Sequence, residues 1–197
     1  MSRGLVVAIK GAIGSGKSTL AEGLALHCRF MIVPLSDPLK GAIDDLNGAS
    51  RWLTKKLDLS DEIDHRKVWQ TLGNECRYEL GCPEVWSQVA AMKMLLMYNL
   101  RQVLGVKPLF VVPDFRHPEE YDYFLGFCRK YDFDLVVIDV VRENCDNENK
   151  RYKTHSSETQ SGGIKADFTA RNDSTVANLI GQSLLMLDPY IKAVEPE

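Results

Sequence analysis

The chain has 197 residues, 45% of them hydrophobic and 26% charged, with a formal net charge of −3. That balance suits one soluble α/β domain and excludes a disordered tail, a collagen-like fibre and a small disulfide scaffold. It leaves no global basic field for wrapping nucleic acid, so an anionic ligand has to be held by local cations and backbone amides. No run of about 20 apolar residues offers a membrane span, and the longest uncharged run, 174–187, is broken by Asn178, Gly181, Gln182 and Ser183. The amino terminus leads into a strand-like run without a cleavage site, so a cytoplasmic location is expected. The five cysteines, Cys28, Cys76, Cys82, Cys128 and Cys145, contain no Cys-x-x-Cys pair and read as free thiols in a reducing compartment.

Taken in chain order, Leu5 to Ile9 is a continuous apolar run, as expected of a strand buried on both faces. A glycine loop follows, then a helix from about Lys17 to His27. Phe30 to Val33 reads as a second short strand, stopped by Pro34. From residue 37 to 104 the pattern is mostly helical, with one helix over Asp64 to Leu80 and another after Pro83. The second carries Val85, Val89, Met92, Leu96, Leu100 and Val103 on one apolar face. This block is too large for a simple crossover and should form a subdomain of its own.

Leu109 to Val112 reads as a third strand, Pro118 to about Tyr131 as a helix, and Leu135 to Val141 as a fourth strand. Residues 142–165 are polar, glycine-containing and rich in both charge signs, the composition of a lid. A short strand over Asp167 to Ala170 and a helix from Thr175 to Leu187 complete the chain. Strands alternating with helices predict a parallel sheet of about five strands covered on both faces, in one domain over 1–197.

Gly11-Ala12-Ile13-Gly14-Ser15-Gly16-Lys17-Ser18 matches G-x-x-x-x-G-K-[ST] at every fixed position, between an apolar strand and an amphipathic helix. A triphosphate needs many donors converging on a small volume. Glycines let the chain curl with its N–H groups inward, and the next helix presents its unpaired amides and positive dipole end. Lys17 supplies a point charge for the β- and γ-phosphates, and the Ser18 hydroxyl can ligate Mg²⁺. The motif therefore predicts a three-layer P-loop NTPase fold with ATP and Mg²⁺ as ligands.

The third strand runs into Pro113-Asp114-Phe115-Arg116, and ligands of open parallel sheets lie at the strands' carboxyl ends. Asp114 could hold Mg²⁺ through water and Arg116 could fork onto an acceptor phosphate, or the two could be an ion pair pinning the strand end. If strand geometry persists, both side chains leave the same side of the backbone. Arg142, at the end of the fourth strand, is expected near the nucleotide. Lys150, Arg151 and Lys153 could equally contact phosphate or form a solvated loop, and His155 has no metal-site spacing with Glu158.

Further pieces occur in order along the chain: Pro38-Leu39-Lys40, Arg66-Lys67-x-x-Gln70-x-Leu72-Gly73, Pro83-Glu84-x-Trp86, Val112-Pro113-Asp114-x-Arg116, Val141-Arg142, Thr154-His155-x-x-Glu158 and Asn172-Asp173-Ser174-Thr175. With the phosphate loop, they resemble bacteriophage deoxynucleoside monophosphate kinases over nearly the whole chain. The resemblance implies ATP-dependent phosphorylation of a deoxynucleoside monophosphate, with a helical acceptor-binding insert at 37–104 and a lid at 142–165. It places ATP phosphates on Gly14, Ser15, Gly16, Lys17, Ser18 and Thr19, with Arg142, Asn172 and Asp173 on the ATP side. Lys40, Arg66, Trp86, Asp114, Arg116 and Glu158 fall on the acceptor side. The segment 74–82 departs from the family's spacing, which leaves Arg77 unassigned, and 161–163 has no counterpart.

Catalysis would then rest on Lys17, Arg116, Asp114 and Arg142 aligning two phosphates and neutralising charge, since an ionised acceptor needs no strong base. Trp86 could stack on the acceptor base or belong to the core. The partners expected are small molecules, with no nucleic acid and no membrane; the oligomeric state, a homodimer included, is left open. Two alternatives stand beside this reading: a P-loop kinase of another small molecule, such as dephospho-coenzyme A or a sugar acid, and a nucleotide-binding switch.

Overall fold

The computed structural model describes residues 3–38, 40–41, 71, 73–79, 81–143 and 163–194. Strand β1 (Gly4–Lys10) is buried at every residue because it pairs in parallel on both edges. On one side it meets β3 (Leu109–Val112), from Leu5 opposite Leu109 to Ala8 opposite Val112. On the other it meets β4 (Phe133–Val141), from Gly4 opposite Phe133 to Lys10 opposite Asp139. The two-residue β2 (Met31–Ile32) lies outside β3, and β5 (Phe168–Arg171) lies outside β4. The sheet order is β2-β3-β1-β4-β5, all parallel, so every strand ends at the same edge. This is the three-layer α/β P-loop NTPase fold.

The period-2 alternation of β1 sorts the core into two layers. Val6 and Ala8 face the layer of α2 (Val85–Val103) and α3 (Pro118–Tyr131), where Ala90, Met94, Phe124 and Phe127 are buried. Leu5, Val7 and Ile9 face α1 (Lys17–Cys28) and α4 (Val176–Ala193), through Leu20, Leu24, Leu179 and Leu187. Aromatic rings fill the first layer: Phe127 stacks on Phe133 at 5.6 Å, and Tyr98 meets the same ring edge-on at 5.3 Å. Aromatic pairs of this kind add about 0.5–1.5 kcal/mol each beyond their burial.

Several boundaries differ from expectation. Strand β4 begins at Phe133, two residues early, because Asp132 takes a left-handed φ of 58° and turns the chain directly from α3 into the sheet. Helix α4 continues through Pro189 to Ala193. Proline removes one helical hydrogen bond, to the Leu185 carbonyl, and Leu185 is exposed, so water can replace it. The face of α2 also reverses. Val89, Met92, Leu96, Leu100 and Val103 are exposed, whereas Ser87, Ala90, Ala91, Met94 and Tyr98 are buried. The buried side joins small residues to Met94 and Tyr98, and it packs against α3 and the aromatic layer rather than directly along a strand.

Most of the predicted helix at Asp64–Leu80 and most of the lid lie outside the described residues. Of the former, Glu75–Glu79 is a π-helical turn. Among the described residues no helix is long and apolar enough to cross a membrane. Cys28, Cys76 and Cys128 are unpaired thiols, as expected, while Cys145 lies outside the described residues.

Burial and, secondarily, the nearby Asp134 carboxylate push the Cys128 thiol up to about 12 from 9.0. The unfolded chain releases this proton near pH 9 and the folded chain keeps it to about 12, so stability falls as pH rises between those values. The expected contribution is about 1.4 kcal/mol per pH unit. In denaturant titrations from pH 8 to 11, the stability advantage of wild type over Cys128→Ala should shrink; an advantage independent of pH would refute the assignment.

Candidate functional site

The chain leaves β1 at the centre of the sheet's carboxyl edge and curls at once. Gly11, Gly14 and Gly16 have φ of 138°, 79° and 105°, a region that L side chains rarely adopt. A Cβ at Gly11 would run into the Val140 carbonyl oxygen and one at Gly16 into the Asn172 amide. Glycine is required at both places. Gly16 caps α1 without any side-chain hydrogen bond, and the first turn of α1 holds no acidic residue. The helix therefore presents its N-terminal amides and dipole to the loop rather than satisfying them internally.

Lys17 folds back over this loop, and its Nζ donates to the carbonyls of Gly11 (2.7 Å) and Ala12 (2.6 Å). The side chain is buried, so the ammonium is fixed and not solvated at random. Ser15 is also buried, Thr19 is half-buried, and Ser18, in the first turn of α1, is exposed. These residues fit a polyphosphate: a curled loop, an open helix N-terminus and a positioned cation converge on one place.

The chain beyond β4 and β5 braces the loop from the other side. Asn172 Nδ2 donates to the Ser15 carbonyl at 2.8 Å, and its backbone N–H donates to the Val141 carbonyl. Arg142 reaches Gly14 O at 3.5 Å, the long limit of a hydrogen bond. Asp173 accepts the Glu143 N–H at 2.8 Å, and Arg171 lies 3.6 Å from the Glu143 carboxylate and 3.9 Å from that of Asp173. Arg142, Asn172 and Asp173 thus stand around the loop.

On the other side of β1 the third strand stops at Val112, and strand geometry does not persist to Asp114 and Arg116. Pro113 has no N–H to continue the ladder, and Pro113 and Asp114 form a turn. The Asp114 carboxylate accepts the N–H groups of Leu35 (2.8 Å) and Ser36 (2.9 Å), pinning the turn after β2. Each oxygen keeps a lone pair toward solvent or a cation. Arg116, half-buried, follows in the turn into α3. Its backbone N–H and that of His117 donate to Glu120 Oε2 at 2.7 and 3.0 Å. Glu120 Oε1 in turn meets Arg77 Nη2 at 2.6 Å.

Lys40, half-buried, sits one helical turn beyond the pinned segment, its N–H on the Ser36 carbonyl. The same segment and α2 enclose a cavity of about 260 Å³ lined by Val33, Pro34, Asp37, Pro38, Val89, Ala90 and Lys93. Trp86 is half-buried against the α2–α3 layer, and its indole N–H is buried without a partner among the described residues. Lys10, the last residue of β1, is buried; it donates to the Ile164 carbonyl at 2.6 Å and lies 3.5 Å from Asp139. Arg66, Lys150, Arg151, Lys153, His155 and Glu158 lie outside the described residues.

Sequence reasoning missed Glu120 and left Arg77 unassigned. The signal for Glu120 was present: His117-Pro118-Glu119-Glu120 carries a proline at the first helical position and an acid at the third, a capping box. Nothing in the sequence pairs Arg77 with a residue 43 positions away.

No family model matches the chain, and no curated protein does. Solved structures resemble it at low identity. An APS kinase from Mycobacterium tuberculosis, in complex with AMPPNP and APS, is 16% identical with a TM-score of 0.49, covering 95% of this chain and 99% of that one. TT1252 from Thermus thermophilus is 17% identical with a TM-score of 0.48, covering 94% and 98%. A sugar kinase from Janibacter is 14% identical with a TM-score of 0.44, covering 98% and 99%. At these scores the likeness carries no further argument; the fold rests on the strand order and the loop.

Gly16→Ala should destabilise the protein by about 1–3 kcal/mol, from the left-handed φ and the collision with Asn172. Gly126→Ala, in α3 where a Cβ meets open space, should instead stabilise by about 0.5–1 kcal/mol. Denaturant midpoints decide it, and equal shifts for the two variants would contradict the loop geometry.

Proposed function

We propose that the protein is a P-loop kinase that transfers the γ-phosphoryl group of ATP to a deoxynucleoside monophosphate, and that it works in the cytoplasm. The observation that supports the reading is that a glycine loop and an arginine-bearing turn share one sheet edge. The glycine loop with its fixed Lys17 lies at the end of β1, and the turn bearing Arg116 lies at the end of the adjacent β3. The family resemblance, which spans the chain from the phosphate loop to Asn172-Asp173, supplies the acceptor class.

ATP supplies the transferable phosphoryl group and Mg²⁺ offsets its charge; Ser18 and Asp114 are the residues that would hold the metal. The loop amides and Lys17 bind and orient the donor phosphates, with Arg142 and Asn172 bracing the loop. Arg116 holds the acceptor phosphate in line, aided by Lys40 and Arg66, while Glu158 lies elsewhere on the acceptor side and Trp86 offers an aromatic surface to the base. Because the acceptor oxygen is already ionised, alignment and charge compensation suffice.

Lys17→Ala should keep the fold and lower turnover on the order of a thousandfold, because the transition-state charge loses its fixed cation. Turnover within tenfold of wild type would place the chemistry elsewhere. Arg116→Lys should weaken the monophosphate by roughly 2–4 kcal/mol with ATP affinity nearly unchanged, since a lysine cannot reproduce the fork. Separate titrations of the two substrates test it, and a loss confined to ATP would move Arg116 to the donor side. A panel of deoxy- and ribonucleoside monophosphates, dephospho-coenzyme A and sugar acids, assayed for ADP release, tests the substrate class. Phosphorylation of a sugar acid but of no monophosphate would refute it.

A further inference from the structure

Glu120 is the third residue of α3 and is 1% exposed. One carboxylate oxygen does the local work of a helix cap, accepting the N–H groups of Arg116 and His117. That work needs no cation. Yet the other oxygen takes the Arg77 guanidinium at 2.6 Å, and the Arg77 side chain is itself only 10% exposed. Arg77 comes from the π-helical turn Glu75–Glu79, which leads toward α2 and has no buried residue to anchor it. A second contact, from Arg77 Nη1 to the Pro83 carbonyl, is long at 3.5 Å. Among the described residues, the Glu120 contact is therefore the short one between this turn and the core.

Because one carboxylate binds both, the Arg77 guanidinium and the Arg116 backbone are held within the span of a single side chain. Helix α3 starts at the carboxyl edge of the sheet, so the cluster lies on the same edge as the phosphate loop. A guanidinium carries five N–H donors, and Glu120 engages it through Nη2, so pairing with Glu120 does not by itself exhaust Arg77 as an anion ligand.

We propose that Glu120 is a positioning residue for the acceptor side: it sets the backbone of the turn carrying Arg116 and holds Arg77 beside it, so that two guanidinium-bearing segments face one acceptor anion in fixed register. This rests on the kinase reading and names the device that makes its acceptor site rigid. Glu120 touches neither phosphate; its effect passes through Arg116 and Arg77.

The test uses Glu120→Gln, Arg77→Met and the double variant, with KM and kcat for ATP and for whichever acceptor the panel shows wild type to phosphorylate. Glutamine can still accept a backbone N–H, but it loses the charge that holds Arg77. Acceptor KM should rise at least roughly tenfold in each single variant, with the KM for ATP within about twofold, since small misplacements of positioning groups cost this much. Each single variant should also lose thermal stability, because it strands a buried charge, and the double variant should regain it. The double variant's acceptor KM should stay raised. Recovery of acceptor KM together with melting temperature would reduce Glu120 to a structural role and overturn the proposal, as would an unchanged acceptor KM in the single variants. If the panel finds a different acceptor, the monophosphate reading falls while this test proceeds on that acceptor.

Discussion

Strand β1 pairs along its length with β4 and over four residues with β3, and the point where it stops determines where the phosphate loop can be. Lys10 is still in register with Asp139, and one residue later Gly11 has left the sheet with a φ that only glycine adopts easily. A strand paired on both sides cannot slide without moving its whole apolar set to the wrong layer. The loop is thus hung from the most constrained element of the molecule. Its own glycines provide the curl, and α1 supplies the field beneath it.

The rest of the edge is tied to that point by side chains that bond to backbone. Asp114 pins the turn after β2, Asn172 reaches from beyond β5 to the loop, and Lys10 joins β1 to Ile164. Asp167 both donates its N–H to Val137 and accepts the Val137 N–H. Hydrogen bonds to charged groups contribute about 1.5–3 kcal/mol each when buried, more than neutral ones. A parallel sheet needs such ties because its strand ends carry no tight hairpins: each strand leaves into a crossover, and its last residues must be held by something other than the next strand.

Much of this was legible in the sequence. Continuous apolar runs mark β1, β3 and β4, and the G-x-x-x-x-G-K-S spacing marks the loop and the start of α1. What failed has identifiable causes. The apolar periodicity of α2 is real, but it could not say which side faces the core; the side with Ala90, Ala91, Met94 and Tyr98 is the one that packs into the aromatic layer. A shared side for Asp114 and Arg116 depended on strand geometry persisting, and Pro113, with no N–H to continue the ladder, is why it does not. The Arg77–Glu120 pair joins residues 43 apart, and no local rule reaches that far.

The two sides of the edge hold their cations by different means, and the difference has an electrostatic consequence. Lys17 and Arg142 are oriented by carbonyl oxygens of the loop, neutral dipoles that fix a cation without cancelling its charge. Arg77 is oriented by a carboxylate, which fixes it and also offsets it. The carbonyl contacts on the loop side thus orient cations at the place where the proposed donor phosphates would bind. On the side of Arg116 the carboxylate exchanges some of the cation's field for a fixed direction. A cation whose charge is partly answered by Glu120 still provides directed donors. In the proposed reaction, its register beside Arg116 would matter more than its net charge, because donors out of line with the acceptor contribute little to either binding or turnover.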